Sequence, residues 1–214
     1  MSKKDLIIVG AGGHAKVVFD VADSLAAYNV IYFISEIPSA EKQLLGIPIL
    51  GGVQELKPCS FVVAIGDNLV RRRLFTEMLG RGFMPVTLQH SSASISKFSS
   101  IASGTVILPH AVINAGSEIG ENCIINSAAV VEHDCKVASH THISVGARLA
   151  GNVRVDEGVL LGVSSTVIPS RNIGEWSTVG AGAVVTRDVE AHSTVVGIPA
   201  KPLAGSPPST KKLS

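Results

Sequence analysis

From residue 95 onward an aliphatic residue recurs at every sixth position without a break. The series runs Ile95, Ile101, Ile107, Ile113, Ile119, Ile125, Val131, Val137, Ile143, Leu149, Val155, Leu161, Val167, Ile173, Val179 and Val185, sixteen sites that are all Ile, Leu or Val. Four residues after each lies a second series, from Ser99 and Thr105 through Cys123 and Cys135 to Val189. Fifteen of its sixteen members are small or β-branched, Arg171 being the exception. An unbroken run of sixteen such hexads is the repeat of a β-helix, a stack of short strands each followed by a corner. The aliphatic residue points inward at the strand centre and the small residue points inward near the corner. Three hexads close a triangular coil of eighteen residues, so residue n stacks on n+18, and the array makes a little over five coils. The unbroken register predicts no inserted loop between residues 95 and 190. Cys123 and Cys135 fall in the small series and are expected in the core, not as nucleophiles or metal ligands.

Residues 5–90 have a different rhythm. "DLIIVG" (5–10), "VIYFIS" (30–35), "SFVVAIGDN" (60–68) and "MPVTLQH" (84–90) read as strands. "HAKVVFDVADSLAAY" (14–28) and "LVRRRLFTEMLGRG" (69–82) read as helices between them. The fold class is thus a small Rossmann-like α/β domain over residues 1–90, then an all-β parallel β-helix over 91–203. A polar, Pro/Ser-rich stretch, 204–214, is expected to be a disordered tail. Repeat arrays need covered ends: the α/β domain is expected to cover the first coil and "STVVGIPAKPL" (193–203) to close the last. A three-sided rod with flat outer faces favours a homotrimer with clefts between subunits.

A formal net charge of +1 over 214 residues gives no electrostatic reason to expect nucleic acid or an anionic membrane. No apolar run is long enough for a membrane span, "MSKK" running into "DLIIVG" is not a signal peptide, and three cysteines without a CxxC pair fit a reducing, cytoplasmic setting.

The chemistry concentrates at Glu132-His133-Asp134, which follows register residue Val131 into an outward-pointing corner. A carboxylate next to an imidazole can accept its N–H, fix the tautomer and prepare a general base. Eighteen residues further on stands Gly151, so the coil sets a backbone without a side chain beside His133. Its N–H could face an acyl oxygen. His110 and His140 are corner residues without an adjacent acid. His142 precedes a register residue and points out from a flat face, toward solvent in one chain or a cleft wall in a trimer. No HExxH is present, so no catalytic metal is expected. At the other end, Gly10-Ala11-Gly12-Gly13-His14-Ala15 forms a GxGxxA turn between strand and helix, suited to a phosphate. Glu36 ends the second strand, where a ribose-binding acid is expected. Gly66, Asp67 and Asn68 end the third strand at the same crevice, and Arg71 could reach a phosphate. The domain is short for a whole dinucleotide, so a nucleotide-sugar fits better than NAD. The run Arg71-Arg72-Arg73 points in three directions on a helix and is not a nucleic-acid patch.

"GAGGHAKVV", "AIGDN", "EHD", "SVGARLAGNVRV" and "VVGIPAKPL" together resemble the sugar O/N-acetyltransferase family that has a nucleotide-sugar-binding head and a left-handed β-helix. It includes bacillosamine-pathway and perosamine N-acetyltransferases and sialic acid O-acetyltransferase-like enzymes. The resemblance implies a trimer with sites between subunits and acetyl-CoA as donor. It implies His133 as general base, Asp134 as its partner and Gly151 as the oxyanion amide. Donor contacts would come from His142, Gly151, Val163, Gly180 and Ala181, and nucleotide-sugar contacts from Gly10, Gly12, Gly13, His14, Glu36, Gly66, Asp67, Asn68 and Arg71. Relatives often carry paired acids where this chain has Ser35-Glu36. The expected reaction is N-acetylation of a nucleotide-linked amino sugar, such as a 4-amino-4,6-dideoxyhexose, in polysaccharide biosynthesis. The alternatives are O-acetylation of a sialic acid-type sugar and a non-catalytic trimeric binding protein.

Overall fold

The computed structural model describes residues 3–37 and 41–203; the tail expected over 204–214 lies outside the described residues. The head is a mostly parallel sheet of β1 (Lys4–Val9), β2 (Tyr28–Ile34), β3 (Gln43–Leu44), β4 (Ile47–Leu50), β5 (Ser60–Val63) and β6 (Met84–Pro85), in the order β3-β4-β2-β1-β5-β6. Helices α1 (Gly13–Ser24) and α2 (Asn68–Gly80) lie on opposite faces of it. The alternation of β1 explains the layering. Leu6 and Ile8 pack with Ala15, Val18 and Ala22 of α1, while Ile7 and Val9 pack with Leu74, Phe75 and Met78 on the α2 side. The β3–β4 hairpin, which the strand reading left unassigned, turns through Leu45 and Gly46, both at positive φ.

The strand expected over 84–90 is two strands. Met84–Pro85 completes the head sheet against β5, whereas Leu88–Gln89 pairs with Val106–Ile107 and begins the solenoid. From there the solenoid is a left-handed parallel β-helix. Two-residue strands pair eighteen residues apart, as in Val112↔Val130↔Arg148↔Thr166↔Val184. The register residues from Ile107 to Val185 form one continuous buried core with the small-residue series, Cys123 and Cys135 included. The residue three places after the register position stands in the left-handed region at every corner from Gly104 to Gly182, with φ between 53° and 75°. Arg171 stays out of the core: its Nε donates to the Pro169 carbonyl and its guanidinium lies 3.7 Å from Asp188.

No loop is inserted before residue 190, but the last coil is two residues short. Ile173 bridges Val189 and Val179 pairs with Val195, spacings of sixteen rather than eighteen. Val189 is therefore a register residue, not the small-series member the sequence suggests, and His192, three places on, takes the left-handed turn. Thr194–Val196 and antiparallel Lys201–Pro202 close this end, as expected.

The three faces differ. The first presents Val112, Val130, Arg148, Thr166 and Val184; the second presents Glu118, Lys136, Arg154 and Asn172, all exposed. The third is covered at its upper coils by the head: Leu88, Val106 and Leu108 share a core with Leu6, Ala15 and Val18. The head therefore packs against the side of the prism and does not cap its first coil, whose inner residue Gln89 is exposed. The cause is the apolar outward residues of this face, which would otherwise meet water. No described helix is long and apolar enough to cross a membrane.

Candidate active site

His133 stands on the first corner, between the first and second faces. Its Nδ1 lies 2.9 Å from Asp134 Oδ2, and both side chains are exposed. That contact leaves Nε2 as the outward nitrogen. A Cβ built on Gly151 would lie 2.5 Å from His133 Nε2, so the imidazole rests on the bare backbone one coil below. Two supports were missed from sequence, though the eighteen-residue rule finds both. Gly116 stacks above Asp134, where a Cβ would meet Oδ1 at 2.4 Å, and Asn114 Nδ2 donates to Glu132 Oε2 at 2.8 Å. The buried cysteines offer no rival nucleophile: burial pushes the Cys123 thiol up to about 11 and raises that of Cys135.

The other residues expected at the site form separate groups. Val163 and Ala181 stack on the third corner, where Val163 is 49% exposed, and Gly180 stands beside them against Val196. His142 faces neither solvent nor His133. On the third face it meets the head: Nδ1 is 3.4 Å from the Gly66 carbonyl, Nε2 is 3.0 Å from Asn126 Nδ2, and the ring stacks on His14 with centroids 6.4 Å apart. Burial, with the nearby Arg71 charge second, lowers both His14 and His142 to about 4. The two rings are neutral at physiological pH, and among the described residues His14 Nε2 is buried without a hydrogen-bond partner.

Gly10, Gly12 and Glu36 line a groove of about 550 Å³ at the ends of β1 and β2, with Ile37, Ile65 and Val70. Gly10 has φ of 122° and backs onto the Ala64 carbonyl, a place no side chain could occupy. Gly12 is the N-cap of α1 and no side chain caps it, so Gly13 and His14 open the helix with amides toward the groove end. Glu36 pairs with Arg73, which holds its carboxyl below the usual range; the pair is exposed and easily displaced.

Three residues expected at the nucleotide are otherwise engaged. Asp67 caps α2, accepting from the Val70 amide. Asn68 spends its amide N–H groups on the carbonyls of Gly158 and Val159. Arg71 does not reach the groove: it is fully buried and bound to carbonyls of head and solenoid. A sequence displays the charge of Arg71 but not the partners that a helix turn brings to it. The three arginines do point in three directions, Arg72 over the Trp176 ring and Arg73 to Glu36.

Residues 5–78 match the family described as the PglD N-terminal domain. The acetyltransferase domain of PglB from Neisseria gonorrhoeae superposes with a TM-score of 0.90 and 36% identity, covering 94% of this chain and 100% of that one. It is also solved in complex with acetyl coenzyme A. The perosamine N-acetyltransferase PerB from Caulobacter crescentus, solved with CoA and GDP-perosamine, gives a TM-score of 0.86 and 35% identity over 94% of this chain and 98% of that one. UDP-N-acetylbacillosamine N-acetyltransferase from Bacillus subtilis is 37% identical over 114 residues, 49% of this chain and 51% of that protein. The chain spans about half the length, or less, of the curated relatives it matches.

Proposed function

This chain belongs to the sugar N-acetyltransferases that join a PglD-type N-terminal domain to a left-handed β-helix, and on that premise we propose that it transfers acetyl from acetyl-CoA to the amine of a nucleotide-linked amino sugar. A 4-amino-4,6-dideoxyhexose is the acceptor class we favour. The observation that carries the reading is the contact of His133 with Asp134 on one side and Gly151 on the other.

Asp134 holds the proton on Nδ1, so Nε2 is free to accept one. The sugar amine attacks the thioester carbonyl, forming the C–N bond, and His133 Nε2 takes the amine proton. The Gly151 N–H supports the developing oxyanion. The C–S bond then breaks and the proton passes to the CoA thiolate. With Cys123 and Cys135 buried in the core, transfer is direct, without an acyl-enzyme. The groove at Gly10, Gly12 and Glu36 would take the nucleotide, and Val163, Gly180 and Ala181 with His142 would line the pantetheine path.

The site is assembled between subunits of a homotrimer. The groove lies on the head, which covers the third face, while His133 stands on the opposite corner of the prism. The first face, with Val112, Val130 and Val184, supplies the contact around the threefold axis, since the second is charged and the third is covered. Free Cys59, Cys123 and Cys135 support a reducing, cytoplasmic setting.

The test is turnover of His133→Ala with acetyl-CoA and UDP- or GDP-linked 4-amino sugars. Loss of about 10²–10⁴-fold in kcat with an unchanged thermal midpoint is expected. Near-normal turnover would refute the base assignment, and acetylation of sugar hydroxyls in preference to amines would favour O-transfer.

A further inference from the structure

Helix α2 runs along the second corner of the solenoid, and residues about one turn apart on it meet successive coils. Asn68 Nδ2 donates to Gly158 and Val159 at 2.9 and 3.0 Å. Arg71 Nε donates to the Asn122 carbonyl at 2.9 Å and Nη2 to that of His140 at 2.6 Å. The Phe75 ring fills the space above Gly104, where a Cβ would lie 2.4 Å from it. Arg71 also reaches back into the head: Nη1 donates to the carbonyls of Ile65 and Gly66 at 3.1 and 3.3 Å.

Arg71 is 0% exposed and, among the described residues, makes no ion pair. Removing a guanidinium from water without an ion-paired partner costs several kcal/mol, offset here by its hydrogen bonds to carbonyl oxygens and by the charge of nearby Asp67. An apolar side chain would join the two domains at lower cost. What the guanidinium adds is direction, because its planar fork fixes four carbonyls of two domains at once. One of the four, Gly66 O, also faces His142 Nδ1.

We propose that Arg71 is a positioning residue that sets the Gly66–Asp67 turn of the head against His142, and so sets the nucleotide groove relative to the acyl-transfer site. This role rests on the reading of the head as the acceptor site.

Steady-state kinetics of wild type, Arg71→Lys and Asn68→Ala test it, with oligomeric state and thermal midpoint measured for each. Arg71→Lys is expected to lower kcat/KM for the amino sugar about tenfold or more while KM for acetyl-CoA stays within about twofold. Asn68→Ala, which removes only the tie to Gly158 and Val159, should shift the same parameter less. Millimolar guanidinium should restore acceptor kcat/KM in Arg71→Ala, where urea does not. Equal losses toward both substrates, wild-type kinetics in Arg71→Lys, or failure of the rescue would overturn the role. If the Arg71 variants do not fold, an acceptor kcat/KM unchanged in Asn68→Ala overturns it. An active wild type with symmetric losses in the variants rejects this role alone. A wild type inactive toward every nucleotide-linked amino sugar rejects the acceptor reading and this role with it.

Discussion

Gly151 has no side chain at the one point where a Cβ would lie 2.5 Å from His133 Nε2. Its φ is not in the left-handed region, so alanine is tolerable to the backbone and only the imidazole must move. Gly151→Ala is therefore expected to keep the wild-type thermal midpoint while lowering kcat about 10²-fold, as displacement of a general base does. A large fall in midpoint with kcat preserved would show that the glycine serves packing instead. The pairing itself was legible, because adding eighteen to the position of the histidine leads directly to Gly151. The same addition from Gly116 leads to Asp134. Arg71 shows where such reading stops: a charge after a glycine turn looks like a phosphate ligand until the solenoid carbonyls of Asn122 and His140 are seen around it.

At the scale of elements, the strands and corners of the solenoid were legible because each hexad repeats one physical requirement. The left-handed corner position explains Gly104, Gly116, Asn122, Asp134, Asn152 and Gly158, residues that tolerate positive φ. The shortened last coil was not legible, since Val189 suits either series. Nor was the docking of α2, which depends on which side of the prism is apolar. That seam has a pH signature. His14, His140 and His142 are each lowered from 6.5 to about 4, by burial first and then by Arg71. The unfolded or undocked state binds more protons than the folded state between these values. The stabilisation is therefore full above about 6.5 and is lost as pH falls toward about 4. Trp176, the chain's single tryptophan, lies 5.4 Å from the Arg72 guanidinium and reports this seam. Its emission should change across that window, before the far-ultraviolet signal of the solenoid is lost. Emission that changes only together with global unfolding would show that head and solenoid do not separate.

At the scale of the whole molecule, one chain carries both the groove and the proposed base but does not bring them together. The nucleotide groove is lined by head residues, from Val9 to Leu74, and the head covers the upper coils of the third face and lies along the second corner. His133 and Gly151 stand on the first corner, at the edge of the first face. Placing a charge on that face, as in Val130→Glu, buries an unpaired carboxylate in the proposed threefold contact. It should give monomers without transferase activity, whereas Lys136→Ala on the charged second face should stay trimeric and active. Light scattering with activity assays decides between them. If groove and base come from different subunits, two defective chains should complement each other. One would carry His133→Ala and the other Gly10→Val, whose side chain would collide with the Ala64 carbonyl. Neither alone should turn over. Mixed trimers formed by co-expression should regain a fraction of wild-type activity, because some interfaces pair an intact groove with an intact histidine. Trimers that mix yet stay inactive would mean that each chain joins its own head to its own His133, and the placement of the site between subunits would fall.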